Sequence, residues 1–186
     1  FKLEGLLIKE HPEFEMEKRL LLDKINIEKG TVCVEETEYP LKDVSFPTID
    51  WEDPYRLSED EADVMERLVT AFVNCEKLQR HVRFLYTQGS LYKVYNGNLL
   101  YHGCVPLNED GTFTRVNVFG KEYAGKELYD VLEGYARKGY YAIDPKEKKK
   151  GQDILWFIWE NQNSPVFGKA KMTTFERYFI ADKIKQ

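Results

Sequence analysis

Two rhythms of apolar and polar positions divide this chain. Between Ser58 and Gln88, the apolar residues Met65, Leu68, Val69, Phe72, Leu78, Val82 and Leu85 share one face, with Arg67, Glu76, Lys77, Arg80 and Arg83 mostly on the other. That spacing predicts one long helix over 58–88 with an apolar stripe turned to a core. Ser58 and Glu61 stand at capping-box spacing, Glu59 and Asp60 add negative charge against the first-turn amides, and Gly89 offers a left-handed C-cap. A second helical stretch runs from Glu127 to Tyr140, with Leu128, Val131, Leu132, Tyr135 and Ala136 facing inward and Gly139 as terminator. The run Ile154–Trp159 is too short to cross a bilayer and reads as buried packing.

Elsewhere the period shortens toward two. Residues 20–41 read as a hairpin-like subregion: Ile25 and Ile27 alternate with polar neighbours, Lys29-Gly30 turns the chain, Thr31–Val34 is rich in strand formers, and Glu35–Glu38 turns it again. Cys33 is expected to pack there as a small hydrophobe. Leu91–Val94 and Leu99–Tyr101 flank Asn96-Gly97 and predict an antiparallel pair, the second member short and apolar enough to be buried. Thr112–Val118 alternates as well. Phe1–Ile8 fits a helix or a strand, and Lys42–Leu57, with Pro47 and Pro54, reads as a connector that Trp51 could dock. Asp50 and Asp53 read as loop acids before a helix rather than metal ligands. The pattern predicts an α+β chain with short antiparallel strands and several helices, folded over 1–186 as a single globular fragment.

Composition narrows the function classes. Hydrophobic residues make up 42% and charged residues 32%, the balance of a globular protein rather than a disordered one. The 12 Tyr, 11 Phe and 3 Trp supply either an aromatic core or a surface that meets another part of a protein. A net charge of -5 gives no overall drive toward nucleic acid. Cys33, Cys75 and Cys104 form neither a disulfide framework nor a CxxC site, which favours reduced thiols in the cytoplasm. No apolar window suits a membrane span, and the first residues lack the pattern of a secretory leader. The start at Phe1 fits either processing or cropping.

The chemistry concentrates in YNGNLLYHGCVPLNEDG, Tyr95 to Gly111. A short strand delivers His102 at its end, Gly103 leaves the backbone open beside the imidazole, Pro106 fixes one φ, and Asn108–Gly111 turns the chain. A lone histidine of this kind serves structure as readily as chemistry, because metal and nucleophile sites need several converging groups. His11 and His81 read as surface residues. Lys146–Lys150 reads as a solvated connector, with an anion-binding patch as the alternative. Asn163–Gly168 is a turn followed by Lys169, Lys171 and, on a helical stretch, Arg177. It lacks the Walker framework, yet those cations could hold phosphate through charge and multiple donors.

The His102 segment resembles the histidine-glycine motif of the calcineurin-like metallophosphoesterases. More closely, NGNLLYHGCVPLNEDGTF, EKLQRHVRFLY, GKELYDVLEGYARKGYY and NSPVFGKAKMTTFERYFI together resemble the class III bacterial fructose-1,6-bisphosphatases, almost from end to end of the chain. The resemblance implies a four-layer αββα phosphoesterase domain, Mn2+ or Mg2+ in a two-metal centre, and hydrolysis of fructose 1,6-bisphosphate. It implies metal coordination by His102, substrate binding by Lys169, Lys171 and Arg177, and support of the site by Gly103, Cys104 and Asn108. The family's DxH, GDxxDR and GNH motifs are absent here, and no histidine follows His102. The chain is therefore expected to be an interior fragment of a larger phosphatase, inactive alone, whose partners are the missing segments of the same protein or further copies of itself. Two other readings stay open. One is a noncatalytic interaction module using the aromatic face and Lys146–Lys150; the other is a hydrolase in which Glu109 or Asp110 orients His102, with nothing in the spacing to support Cys104 as its nucleophile.

Overall fold

The structure, a computed structural model, describes residues 1–169 and 174–181. It divides into two compact units, residues Phe1–Ala71 with Lys171–Gln186 and residues Phe72–Ala170. No helix among the described residues is long and apolar enough to cross a membrane.

In the first unit the ambiguous N-terminal stretch is a helix, α1 (Lys2–Glu10), followed by short 3-10 turns. An antiparallel meander of β1 (Ile25–Asn26), β2 (Thr31–Val34) and β3 (Thr37–Pro40) places Val32 opposite Ile25 on one side and Tyr39 on the other. Val32 and Val34 point inward and join Leu21, Leu22, Tyr55, Phe175 and Ile180 in the core. The alternation that buries those valines turns Cys33 outward, so it is exposed and not packed as expected. Trp51 also remains 43% exposed, touching Phe46 edge-on. The buried anchor of the connector is Tyr55, whose ring lies where a side chain on Gly5 would stand. The short helix α6 (Thr174–Phe179) ends at Ile180, which bridges to Leu41.

The capping box forms. The Ser58 amide donates to Glu61 Oε2 at 2.8 Å, and the Glu61 amide donates to Ser58 Oγ at 3.2 Å. Lys2, almost buried, donates to the same carboxylate at 2.7 Å and to the Thr48 carbonyl at 2.6 Å. These donors, the Lys2 ammonium foremost, hold the Glu61 carboxyl down at about 2.

The single helix expected over 58–88 is instead two, α2 (Glu59–Val73) and α3 (Glu76–Gln88). At the break Cys75 takes extended geometry, φ -79° and ψ 99°, and becomes the N-cap of α3. Asn74, whose short amide competes for local backbone groups, stands where α2 ends. Neither helix buries a residue, and Leu68, Val69, Phe72, Phe84 and Leu85 face solvent rather than a core.

The second unit is built on α4 (Gly125–Tyr141) and α5 (Pro145–Glu160). Leu128, Leu132 and Ala136 of α4 and Ile154, Phe157 and Ile158 of α5 are buried. Gly139 does not terminate its helix. It lies against Gly151, and a side chain on Gly139 would stand 2.8 Å from the Gly151 carbonyl carbon; the two glycines let the helix backbones meet. Lys146–Lys150 is likewise no connector, because Pro145 sits at the first turn and Asp144 Oδ1 accepts from the Glu147 amide at 2.9 Å, starting α5 ahead of the lysines.

Two small hairpins complete this unit. β4 (Tyr92–Tyr95) pairs antiparallel with β5 (Asn98–Tyr101), turning through Asn96 and Gly97, both at positive φ. β5 was expected to be buried, but all four of its residues are exposed. β6 (Val116–Val118) pairs with β7 (Lys121–Tyr123), so only the end of the alternating 112–118 segment is strand.

Candidate functional site

His102 follows β5 directly and is exposed. The next two residues are pinned by the turn between Asn161 and Lys169, which brings together two of the segments that carry the family resemblance. The Cys104 amide donates to the Pro165 carbonyl at 3.0 Å, and the Cys104 thiol donates to the Ser164 carbonyl at 3.4 Å. Gly103 is needed for this approach: a side chain there would collide with the Pro165 carbonyl oxygen and stand 2.7 Å from that of Val166. The backbone beside His102 is exposed but has the Pro165–Val166 backbone close against one side of it.

Each side of this contact is braced. Ser164 is fully buried, donates to the Ile158 carbonyl at 2.5 Å, and accepts from the amides of Val166 and Phe167 at 3.1 and 3.3 Å. On the other side Tyr129, buried on α4, donates its hydroxyl to the Cys104 carbonyl at 2.7 Å. Burial pushes the Tyr129 phenol up to about 12, so it stays a donor at neutral pH, and burial also raises the Cys104 thiol. A thiol raised in this way is a poor nucleophile. Ser164, Tyr129 and Pro165 were not singled out in the sequence; the Ser-Pro pair marked a turn, but nothing local shows that the turn lands on Gly103.

The other predicted residues are distributed as follows. Lys169 is exposed at the end of the same turn, its ammonium 6.0 Å from the Phe167 ring centre. Lys171 lies outside the described residues. Arg177 is exposed on α6 in the first unit, where its carbonyl accepts from Lys42 Nζ at 3.1 Å. Asn108 shapes its own turn, donating through Nδ2 to Thr112 Oγ1 at 2.9 Å and accepting from Thr114 Oγ1 at 3.1 Å. Asp110 Oδ1 is taken up by the Thr112 hydroxyl and amide at 2.6 and 2.9 Å, which hold its carboxyl below the usual range. That acid is engaged in the turn rather than in orienting an imidazole.

Among the described residues no group of three or more His, Cys, Asp or Glu side chains converges as a metal ligand set. A two-metal centre needs a bridging carboxylate and further donors from several elements, which His102 alone does not supply. The described residues therefore do not make up such a centre.

The sequence of the whole chain, residues 1–186, matches the family model described as Firmicute fructose-1,6-bisphosphatase. The chain belongs to this family. Among curated proteins it is 56% identical over 184 residues to a fructose-1,6-bisphosphatase class 3 of Clostridium botulinum strain Langeland, covering 98% of this chain and 28% of that protein. Proteins of the same name from Clostridium novyi and Clostridium tetani are each 54% identical over the same shares. The chain thus spans 28% of the length of these relatives. No solved structure matches it.

Proposed function

We propose that this chain is part of a longer enzyme that hydrolyses fructose 1,6-bisphosphate to fructose 6-phosphate and phosphate. The observation that carries the reading is the 56% identity over 98% of the chain to a relative named for that activity. In this reading the complete catalytic domain has the four-layer αββα arrangement and a Mn2+ or Mg2+ pair supplies water activation and charge neutralisation at the phosphoryl group. His102 is one ligand of that pair, and the remaining ligands come from segments beyond these 186 residues. Gly103 and Cys104 hold the backbone after His102 against the Ser164 turn, a rigid mount of the kind a metal ligand requires. Lys169, at the end of that turn, together with Lys171 and Arg177, contributes cationic donors for the sugar phosphates. Asn108 supports the site by fixing the turn that follows.

The chain by itself is inactive in this reading, since one histidine leaves the phosphate charge uncompensated. The parent acts in the cytoplasm, and its partners are its substrate and further copies of itself. The test is His102→Ala in the complete gene product: phosphate release from fructose 1,6-bisphosphate with added manganese falls by at least about 100-fold. Unchanged turnover would remove His102 from the site.

A further inference from the structure

The β4–β5 hairpin is a sheet of two strands, each with one edge unpaired among the described residues. A two-stranded hairpin is marginal in water unless a third strand or a packed face supports it. β4 has part of that support: Tyr92 packs edge-on against Tyr129 at 5.6 Å between ring centres and donates its hydroxyl to Asp130 at 2.8 Å. β5 has less. The register pairs Tyr92 with Tyr101 and Val94 with Leu99, so these four side chains share one face. Together with Phe113 and Tyr129 they line an apolar groove of about 270 Å³. Val94, Leu99 and Phe113 are each more than half exposed, at 62%, 56% and 57%. A contiguous apolar patch with a groove in it marks a contact surface rather than a solvent face.

We infer that this groove and the free edge of β5 form a docking site for an extended apolar segment of the same longer polypeptide, which adds a strand to the hairpin. The inference rests on the reading that the chain is part of a larger protein. Two observations favour this occupant over a separate protein. The relatives carry more than twice as much sequence beyond this segment as within it, since only 28% of their length is matched. The groove is also lined by Tyr101 and Val105, on either side of His102 in the sequence, for which the proposed function requires co-ligands from elsewhere in the polypeptide; a strand laid along β5 runs toward that point. Strand addition supplies the main-chain hydrogen bonds, and alternate side chains of the added strand fill the groove.

Amide hydrogen exchange, followed in the 186-residue chain and in the complete gene product, tests this without reference to activity. In the complete protein the β5 amides that point away from β4 exchange at least about 100-fold more slowly than in the chain alone. Leu99→Glu lowers the thermal midpoint of the complete protein by several degrees and leaves that of the chain within about one degree. A gene product no longer than this chain, equal β5 exchange in both proteins, or a concentration-dependent dimer of the chain that Leu99→Glu dissociates would each overturn the inference. If the complete protein protects β5 yet releases no phosphate from fructose 1,6-bisphosphate, the docking site stands and the assigned activity fails.

Discussion

The helices of this chain are held in two different ways. α4 and α5 are held by their faces: Leu128, Leu132, Ile154 and Phe157 are at most 1% exposed, and Gly139 and Gly151 let the backbones touch. α2 and α3 bury nothing along their length and are held at particular points. α2 is fixed at its start by the Ser58–Glu61 box and the Lys2 ammonium. α3 is fixed toward its end, where Tyr86 stacks on Tyr140 at 5.1 Å and Arg137 donates to the Gly89 carbonyl at 2.9 Å. An amphipathic pattern about as strong in α2 and α3 as in α4 thus means different things. In α4 it records a partner helix within the chain; in α2 and α3 it records apolar side chains, Leu68, Val69, Phe72 and Leu85 among them, that stay largely in solvent, while Leu78, Val82 and Tyr86 of α3 are only half-buried.

The sharpest way to break this contrast is to fill the helix crossing. Gly151→Val would drive a branched side chain into the Gly139 backbone, which cannot move aside as a side-chain tip would. It should cost at least about 3 kcal/mol, the upper end for overpacking, measured by urea denaturation of the chain. A loss below about 1 kcal/mol would mean that the helices do not meet backbone to backbone.

Next in size is the brace behind His102. Ser164→Ala removes the acceptor for the Val166 and Phe167 amides and the donor to the Ile158 carbonyl, and should destabilise by about 1 to 3 kcal/mol. The second unit carries this loss, so amide exchange at Cys104 should accelerate along with it.

The point attachment of α2 has a pH signature. Because the Glu61 carboxyl is held at about 2 against an ordinary 4.5, its contribution is fully present above about pH 4.5 and is lost as pH falls toward 2. Far-UV circular dichroism of the acid limb should flatten over that window in Glu61→Gln. An unchanged limb would show that Lys2 and Ser58 do not hold this helix.

The smallest effect belongs to the exposed stripe. Leu85→Ala removes a side chain that is 64% exposed and should change the stability of the chain by less than about 0.5 kcal/mol. The same substitution at Leu132 would cost several times more. Comparable losses at the two positions would erase the distinction between face-held and point-held helices.

The contrast also explains what could be read from the sequence. The capping box at Ser58, the Asn96-Gly97 hairpin and the inward face of α4 rest on local chemistry, and local chemistry is written in consecutive residues. Burial of the 65–85 stripe was misjudged because periodicity reports an apolar face and not what covers it. The break at Asn74-Cys75 interrupts a pattern that continues on both sides, so the period gave no warning. Asp144-Pro145 followed by Glu147 was a legible start for α5, hidden behind the more conspicuous lysines. At the candidate site His102 and the Asn163–Gly168 turn stood out separately. Their contact through Gly103, Cys104 and Pro165 joins residues about sixty positions apart, and no spacing rule connects them.

The central claim is that this chain carries one corner of a fructose-1,6-bisphosphatase site and not the whole. Phosphate release from fructose 1,6-bisphosphate, measured side by side with manganese for the 186-residue chain and for the complete gene product, tests it directly. The account predicts turnover by the complete protein and none by the chain; robust turnover by the chain alone, or none by the complete protein, would contradict it.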